Sequence, residues 1–439
     1  MTLAIPHARS VADEVPPVVG ARLTVPLVDG RRVPYANLDH AASAPCLDAV
    51  RTAVDELLPW YASVHRGAGF ASQVSTKVFE RARDVVGRFV GARRGDAVVF
   101  TRNTTDALNL LARAVPRATS VVLFDTDHHA ALLPWRGPNV HRLSSVDRLD
   151  AALRSCPTGP RLVVVTGASN VTGELWPVAD IAATARRHGA RVVLDAAQLA
   201  PHRPVDLRAL DVDYVVLSGH KLYAPFGAGA LIGRADWLRA AEPYLAGGGA
   251  TSLVADRGAE LAVSWSTGPE RHEAGSPNVV GAHALAVACE TIERNRPAIV
   301  AHERALLGRL RTGLAGVAGL RELSLFAADR VGVVSFAVDG QDPGLLAAAL
   351  SAEHGIGVRD GAFCAHIGTR RLLATAGAAG TRALRASIGL GSTVEHVDRL
   401  VAALHTLVAT GPTWDYELVD GRWTPTPDPR ALPPFLAAA

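Results

Sequence analysis

The chain has 439 residues, 49% of them hydrophobic and 20% charged, and this composition predicts a soluble globular protein of two or three domains. Its 45 basic and 42 acidic residues give a net charge of +3 without a run of five like charges, so neither a nucleic-acid nor a membrane partner is expected. No stretch of about 18 apolar residues lacks a charge, and the N-terminus has no signal-peptide pattern, so a cytoplasmic location is expected.

Residues 1–37 contain several prolines and the turn-like segment VDGRR, which indicates an N-terminal arm that packs over another domain or subunit. From about residue 75, short apolar segments such as DAVVF, SVVLFD and RLVVVT alternate with segments of helical periodicity. This alternation predicts an α/β domain, assigned to residues 38–290, with a largely parallel sheet covered by helices on both faces.

The C-terminal third of the chain has a different pattern. A long helical segment near residues 279–318 is predicted to lead out of the large domain. After it, apolar strands and helices predict a smaller α+β domain, assigned to residues 291–410. Part of the N-terminal arm is expected to belong to this domain. The proline-bearing extension 411–439, with WDYELVDGRW, predicts a hairpin or an extended segment.

Polar residues follow the predicted strands of the large domain. Ligands of open parallel sheets bind at the carboxyl ends of the strands, so these positions are candidates for a binding site. They are Thr104, Thr105, Asp127, His128, Asn170, Asp195, Gln198, Ser218, His220 and Lys221. Together they suit one planar heterocyclic ligand that carries a dianionic group.

Lys221 stands out because the chain contains only one other lysine, Lys77, among many arginines. A lysine amine can lose its proton and form an imine, whereas a guanidinium can do neither near neutral pH. Its segment SGHKLYAPFGAGAL follows an apolar strand and carries glycines that allow close backbone approach to a ligand. Chance placement of one of two lysines is the alternative explanation.

Three of the other candidates also have a structural alternative. Thr104 and Thr105 precede a helix, where they would bind a phosphate or simply cap the helix. Asp195 ends an apolar strand and would pair with a protonated pyridine nitrogen or cap the helix that follows. His128 would stack on a ring and relay protons, although spacing does not distinguish it from His129, and a buried structural histidine is the alternative.

A series of motifs runs in order along nearly the whole chain. They are NLDHAASAP, VHRG, TRNTTDALNLLA, DHHAALLPW, SNVTG, LDAAQ, SGHKLYAPFGAGAL, HEAGSPN, VRDGAFCAH and RASIGL. Through them the chain resembles the class V aminotransferase group of fold-type-I pyridoxal 5′-phosphate (PLP) enzymes, and within it the Suf-type cysteine desulfurases and selenocysteine lyases. The resemblance implies a large domain with a mostly parallel seven-stranded sheet and a smaller α+β C-terminal domain.

The resemblance also assigns cofactor roles. Lys221 would carry the cofactor as a Schiff base, Asp195 would pair with the pyridine nitrogen, and Gln198 would bond the phenolic oxygen. His128 would stack on the ring and act in catalysis, with Asn170 beside the cofactor. The residues that would hold the phosphate are Thr104, Thr105, Ser218 and His220, with Ser276 reaching it from the second subunit of a homodimer.

Substrate roles follow in the same way. Asn170 and Arg385 would grip the α-carboxylate of an amino-acid substrate, where a bidentate guanidinium fits well. His65 and Arg359 would line the substrate channel.

Cys364 decides which reaction the resemblance implies. In the desulfurases a loop cysteine takes the sulfur of the substrate cysteine as a persulfide, from which a sulfur-acceptor protein can receive it. A buried, inert thiol is the alternative, and the chain has GAFC where these desulfurases usually carry GHHC. A class V aminotransferase, an enzyme like isopenicillin N epimerase, or a C–S lyase of specialised metabolism are the competing functions, and the first two would not need Cys364.

The four cysteines lie far apart without a CxxC pair, so free thiols and no metal site are expected.

Overall fold

The structure is a computed structural model that describes residues 15–258 and 260–436. Residues 1–14 of the predicted arm and 437–439 of the predicted extension lie outside the described residues. The N-terminal segment forms the strands β1 (Thr24–Pro26), β2 (Arg32–Pro34) and β3 (Ala36–Asn37). Because β3 pairs in parallel with Ile356–Gly357, this segment packs on the C-terminal part of the chain.

A seven-stranded sheet forms the centre of the large N-terminal part. Its strands are β4 (Asp96–Thr101), β5 (Ser120–Phe124), β6 (Val140–Leu143), β7 (Arg161–Thr166), β8 (Arg191–Asp195), β9 (Tyr214–Ser218) and β10 (Gly229–Arg234). The strand order is β4-β10-β9-β8-β7-β5-β6, and every pairing is parallel except those of β10 with β4 and β9. The last three residues of the segment GAGAL form the start of β10, which is antiparallel to both of its neighbours.

Helices cover both faces of this sheet. They are α1 (Asp48–Leu57), α2 (Phe70–Phe89), α3 (Thr104–Ala114), α4 (His129–Leu132), α5 (Leu149–Ser155), α6 (Val178–Arg187), α7 (Ala235–Ala240) and α8 (Val279–Arg294). Along β5, Val122 and Phe124 belong to the core cluster that includes residues of α5 and α6, whereas Val121 and Leu123 belong to the cluster that includes residues of α3. Alternate residues thus face opposite helical layers, which explains why the strand is apolar throughout.

The long helical segment predicted near residues 279–318 is helical but is not one helix. The chain instead forms α8 and a second helix, α9 (Arg296–Ala315), with Asn295 between them. Pro297 lies in the first turn of α9, where its missing N–H group costs no helical hydrogen bond, but it could not continue α8 without breaking that helix. A β-hairpin of β11 (Thr251–Asp256) and β12 (Leu261–Trp265) precedes α8.

The C-terminal part is a smaller α+β unit. Its strands are β13 (Leu320–Glu322), β14 (Val333–Val338), β15 (Ile356–Gly357), β16 (Arg359–Gly361) and β17 (Ala383–Ser387), and its helices are α10 (Pro343–His354), α11 (His366–Thr375) and α12 (Val394–Thr410). An antiparallel sheet of order β13-β14-β17-β16 shares its own hydrophobic core with α9, α10 and α12. The predicted α/β fold with a mostly parallel seven-stranded sheet and a smaller α+β part is confirmed, while the domain boundaries stay predictions.

The extension forms a hairpin of β18 (Tyr416–Val419) and β19 (Arg422–Pro425), one of the two forms predicted for it. The Tyr416 hydroxyl contacts the Glu353 carboxylate at 2.9 Å, and the Trp423 indole donates to Asp342 at 3.1 Å, so the hairpin packs on α10. The described part of the chain contains no helix long and apolar enough to span a membrane.

Candidate active site

A cavity of about 230 Å³ lies at the carboxyl ends of the central strands. Most of the polar residues selected from the sequence line it. They are Thr104, Thr105, His128, Asn170, Asp195, Gln198, Ser218, His220, Lys221, Arg359, Cys364 and Arg385. The strand-end positions converge because β5, β7, β8 and β9 are parallel neighbours, as the α/β pattern requires.

Lys221 lies at the floor of the cavity, three residues after the end of β9. Its Nζ donates a hydrogen bond to Oε1 of Gln198 at 3.2 Å. Burial lowers the pKa of Lys221 to about 8, with Asp195 opposing this shift and Arg385 adding to it. About a tenth of the amine is therefore neutral at pH 7, far more than at the ordinary pKa of 10.5, and this form can act as a nucleophile or a base.

Asp195 is the last residue of β8 and is buried. Its Oδ1 accepts a hydrogen bond from the backbone N–H of Ala197 at 3.0 Å. The residues that follow form turns rather than an α-helix, which argues against simple helix capping. Burial raises the pKa of Asp195, and the nearby charge of Lys221 opposes that effect, so a further cation in the cavity would favour its ionised form.

The N-terminus of α3 faces the cavity through Thr104 and Thr105. The capping role belongs to Asn103, whose side chain accepts a hydrogen bond from the backbone N–H of Asp106 at 3.0 Å. The Thr104 N–H donates to the Ser218 hydroxyl at 3.4 Å, whereas its own buried hydroxyl has no partner among the described residues. The threonines are thus free to bind an anion at a helix N-terminus.

His128, and not His129, lines the cavity. Nδ1 of His128 accepts a hydrogen bond from the Ala130 N–H at 3.0 Å. Burial, followed by the charge of Lys221, lowers the pKa of His128 to about 3, so the imidazole is neutral at physiological pH. The His129 ring instead stacks on His366 with 4.8 Å between ring centroids.

Arg385 and Asp39 form an ion pair at the cavity wall. The Arg385 side chain is 3% exposed, and its Nη2 donates to Asp39 Oδ1 at 3.1 Å while Nη1 donates to the Asn170 carbonyl at 2.9 Å. Arg359 lies further out, with Nη1 4.0 Å from Asp39 Oδ2. Asp39 was missed as a site residue, although it stands in the motif NLDHAASAP, because nothing local in the sequence links it to two distant arginines.

Cys364 is exposed, whereas Cys156 and Cys289 are buried. Cys364 is therefore not the buried thiol of the alternative, while its catalytic role stays a prediction. Phe363 and Cys364 have φ values of 53° and 54°, a left-handed conformation that costs about 1–2 kcal/mol per non-glycine residue. The loop is held against this strain in part by the His129 N–H, which donates to the Cys364 carbonyl at 2.8 Å.

His65 and Ser276 do not line the Lys221 cavity of their own chain. Both lie in a separate groove of about 900 Å³, next to α2 and the β11–β12 hairpin. Nε2 of His65 contacts Glu80 Oε1 there at 2.8 Å. A role for either residue at the Lys221 cavity would need a second copy of the chain.

Comparison with known proteins agrees with this site. The family model for class-V aminotransferases matches residues 36–400. The cysteine desulfurases of Klebsiella pneumoniae and Dickeya dadantii are 34% and 35% identical, over 85% of this chain and 93% and 92% of theirs.

A solved structure also matches along most of its length. The apo cysteine desulfurase from Thermococcus onnurineus superposes with a TM-score of 0.77 at 31% identity, covering 85% of this chain and 95% of the other. The resemblance seen in the ordered motifs is confirmed, and the chain belongs to the class-V aminotransferase family of enzymes.

Proposed function

We propose that this enzyme is a PLP-dependent cysteine desulfurase acting on L-cysteine or a cysteine-like amino acid, with Lys221 holding the cofactor and Cys364 accepting sulfur. The observation that carries the proposal is that a buried lysine amine and an exposed cysteine line the same cavity. The names of the relatives and of the solved structure support the same reaction.

The residues of the cavity fit PLP. The buried Thr104 hydroxyl, which lacks a partner within the described residues, and the N-terminus of α3 suit the phosphate, with Thr105, Ser218 and His220 lining the same cavity. Asp195 suits the protonated pyridine nitrogen, because that cation would offset the effect of burial on its carboxylate. Gln198 suits the phenolic oxygen, since its amide already contacts Lys221. When bound, the cofactor would draw electrons from the substrate α-carbon, which side chains alone do poorly.

Arg385 and Asn170 suit the substrate carboxylate. The Arg385 guanidinium is buried and oriented by Asp39, so little conformational entropy would be lost when it binds a carboxylate. Arg359 is more exposed and suits the mouth of the channel.

Two residues suit proton transfer. The neutral form of Lys221 can remove the α-proton, because burial lowers its pKa to about 8. In His128 the hydrogen bond to Nδ1 leaves the proton on Nε2, which makes this neutral imidazole a donor toward the cavity.

Cys364 would then take the sulfur. Its thiolate forms an S–S bond with the substrate sulfur while the C–S bond breaks, and the electron pair of that bond stays with carbon. Protonation of this carbon gives alanine, and the persulfide on Cys364 passes its terminal sulfur to a thiol acceptor, for which a sulfur-acceptor protein is the proposed partner.

A homodimer completes the proposal. His65 and Ser276 lie outside the cavity of their own chain and share one groove. A second copy of the chain seated in this groove would place both residues at the second copy's cavity, with Ser276 toward the phosphate and His65 toward the substrate channel. The cytoplasmic location stays a prediction.

The test is turnover of L-cysteine by the PLP-loaded protein, with alanine, pyruvate and sulfide measured separately. Alanine and sulfide that disappear in both Lys221→Ala and Cys364→Ser support the proposal. Pyruvate that persists in Cys364→Ser would indicate a β-eliminating lyase. Turnover only with a keto-acid acceptor would indicate an aminotransferase, and inversion of the α-carbon an epimerase.

A further inference from the structure

The amide of Gln198 lies between Lys221 and a second buried residue, His202. Oε1 of Gln198 accepts from Lys221 Nζ at 3.2 Å, and Nε2 of Gln198 lies 3.4 Å from Nε2 of His202. Gln198 and His202 are both buried, so each end of the amide has a defined partner. The orientation of the amide is therefore linked to the protonation of the imidazole.

His202 is in turn paired with Glu303 on α9, in the C-terminal part of the chain. Nδ1 of His202 contacts Glu303 Oε2, and Nη1 of Arg203 donates to Glu303 Oε1 at 2.6 Å. Burial opposes ionisation of Glu303, but His202 and Arg203 lower its pKa to about 2. His202 thus faces a carboxylate, with Arg203, His40 and, beyond Gln198, Lys221 as the other charged or titratable neighbours.

Hydrogen-bond chemistry allows two arrangements of this chain of groups. Glu303 keeps a proton on Nδ1 of His202. If Nε2 has no proton, it accepts from the Gln198 NH₂ group, and the amide oxygen faces Lys221, as in the structure. If Nε2 is also protonated, it donates to the amide oxygen, and the NH₂ group turns toward Lys221.

We propose that His202 and Glu303 form a positioning pair that turns the Gln198 NH₂ group toward the phenolic oxygen of a cofactor held on Lys221. This inference rests on the proposed function. Joining the ammonium nitrogen to the aldehyde carbon would expel one water and leave one proton on the linkage, so the second proton on His202 would come from solvent. Without the cofactor, the Lys221 amine donates to the Gln198 amide oxygen. With the cofactor, the phenolate oxygen needs a donor, which the NH₂ group of the same amide can supply.

The test is a pH titration of the visible absorbance band of the PLP-loaded protein. A donor to the phenolate favours the deprotonated form of the lysine–cofactor linkage. Glu303→Gln and His202→Asn should each weaken the hydrogen bond donated to the phenolate. The pH midpoint for deprotonation of the lysine–cofactor linkage should then rise by about one unit, a tenfold change in its proton affinity. The double variant should shift no further than the larger single shift, because both residues act through one amide.

Two control variants show whether the shift arises through the Gln198 amide. Gln198→Leu, which removes the donor itself, should give a shift at least as large. His302→Gln removes a neighbouring half-buried imidazole that does not contact Gln198, and it should leave the midpoint within about 0.2 unit, a difference worth little free energy. Thermal unfolding of each variant identifies those that fail to fold, and the near-isosteric Glu303→Gln is the least disruptive.

The inference is overturned if both pair variants titrate like wild type while Gln198→Leu shifts, or if His302→Gln shifts as much as they do. If wild-type protein forms no visible band with PLP, the proposed function fails first, and this inference fails with it.

Discussion

The guanidinium carbon of Arg385 lies 5.0 Å from the ring centroid of Phe363, the residue before Cys364. The Asn170 amide donates to the Phe363 carbonyl at 2.7 Å. The two residues proposed to bind the substrate carboxylate therefore also hold the strained loop that carries the cysteine. A carboxylate arriving at Arg385 and Asn170 would compete with these contacts, which couples substrate binding to the position of Cys364.

The first prediction tests the Phe363 contact. Phe363→Leu keeps an apolar side chain in its buried cluster but removes the cation–π contact, which is worth about 0.5–2 kcal/mol. We expect KM for cysteine to change at least twofold and alanine production to fall. Phe326→Leu is the matched control, because this exposed ring contacts Trp176 and not Arg385. Identical kinetics in both variants would show that the ring does not orient Arg385.

The second prediction concerns Asp39. Burial raises the pKa of Asp39, and the charge of Arg385 opposes this effect, so the two groups stabilise each other's ionised form. In Asp39→Asn we expect KM to rise at least tenfold, which corresponds to about 1.4 kcal/mol, because Arg385 is no longer held in place. Asp29→Asn, which removes an exposed carboxylate, should behave like wild type. The idea fails if KM is unchanged while the variant remains folded.

The third prediction follows from the pKa of Lys221. Burial lowers it to about 8 from an ordinary value of 10.5, so the folded protein binds fewer protons than the unfolded chain between these pH values. Wild type should therefore gain stability as pH rises through this window, and the penalty, up to about 3 kcal/mol, is fully present below pH 8. Lys221→Met removes the titrating group without leaving a large cavity.

Without PLP, Lys221→Met should thus be more stable than wild type at pH 7, and the difference should vanish near pH 10.5. Denaturant unfolding across this range measures it. If the difference in free energy of unfolding between Lys221→Met and wild type did not change with pH, Lys221 would have the same pKa in the folded and unfolded chains.

The strand-end residues of the cavity could be predicted from sequence because parallel, fully apolar strands leave few places for polar groups. Lys221, Asp195 and Thr104 are such cases. Asp39 and Phe363 could not be found this way, because Arg385 lies 346 residues from Asp39 and Asn170 lies 193 residues from Phe363, and these contacts depend on the packing of separate units. The break at Asn295 was missed because periodicity continues through it, although Pro297 was the available signal.

The last prediction concerns the C-terminal hairpin, which lies outside the residues matched by the family model. The Glu353 carboxylate on α10 accepts hydrogen bonds from the Thr413 N–H at 2.9 Å and from the Trp414 N–H at 3.4 Å, and contacts the Tyr416 hydroxyl at 2.9 Å. Hydrogen bonds to a charged group contribute about 1.5–3 kcal/mol each, so Glu353 holds the hairpin more strongly than the single Trp423–Asp342 hydrogen bond does.

In Glu353→Ala we expect the turn at Asp420 and Gly421 to become sensitive to limited proteolysis, while the absorbance of the PLP-loaded protein stays unchanged. Glu417→Ala, which removes an exposed carboxylate from the hairpin itself, should remain as resistant as wild type. Because α10 packs on β16, which leads into the Cys364 loop, a loss of alanine production in Glu353→Ala at normal PLP content would show that the hairpin supports the loop. Full protease resistance in Glu353→Ala would instead mean that the apolar contacts of β19 are sufficient to hold it.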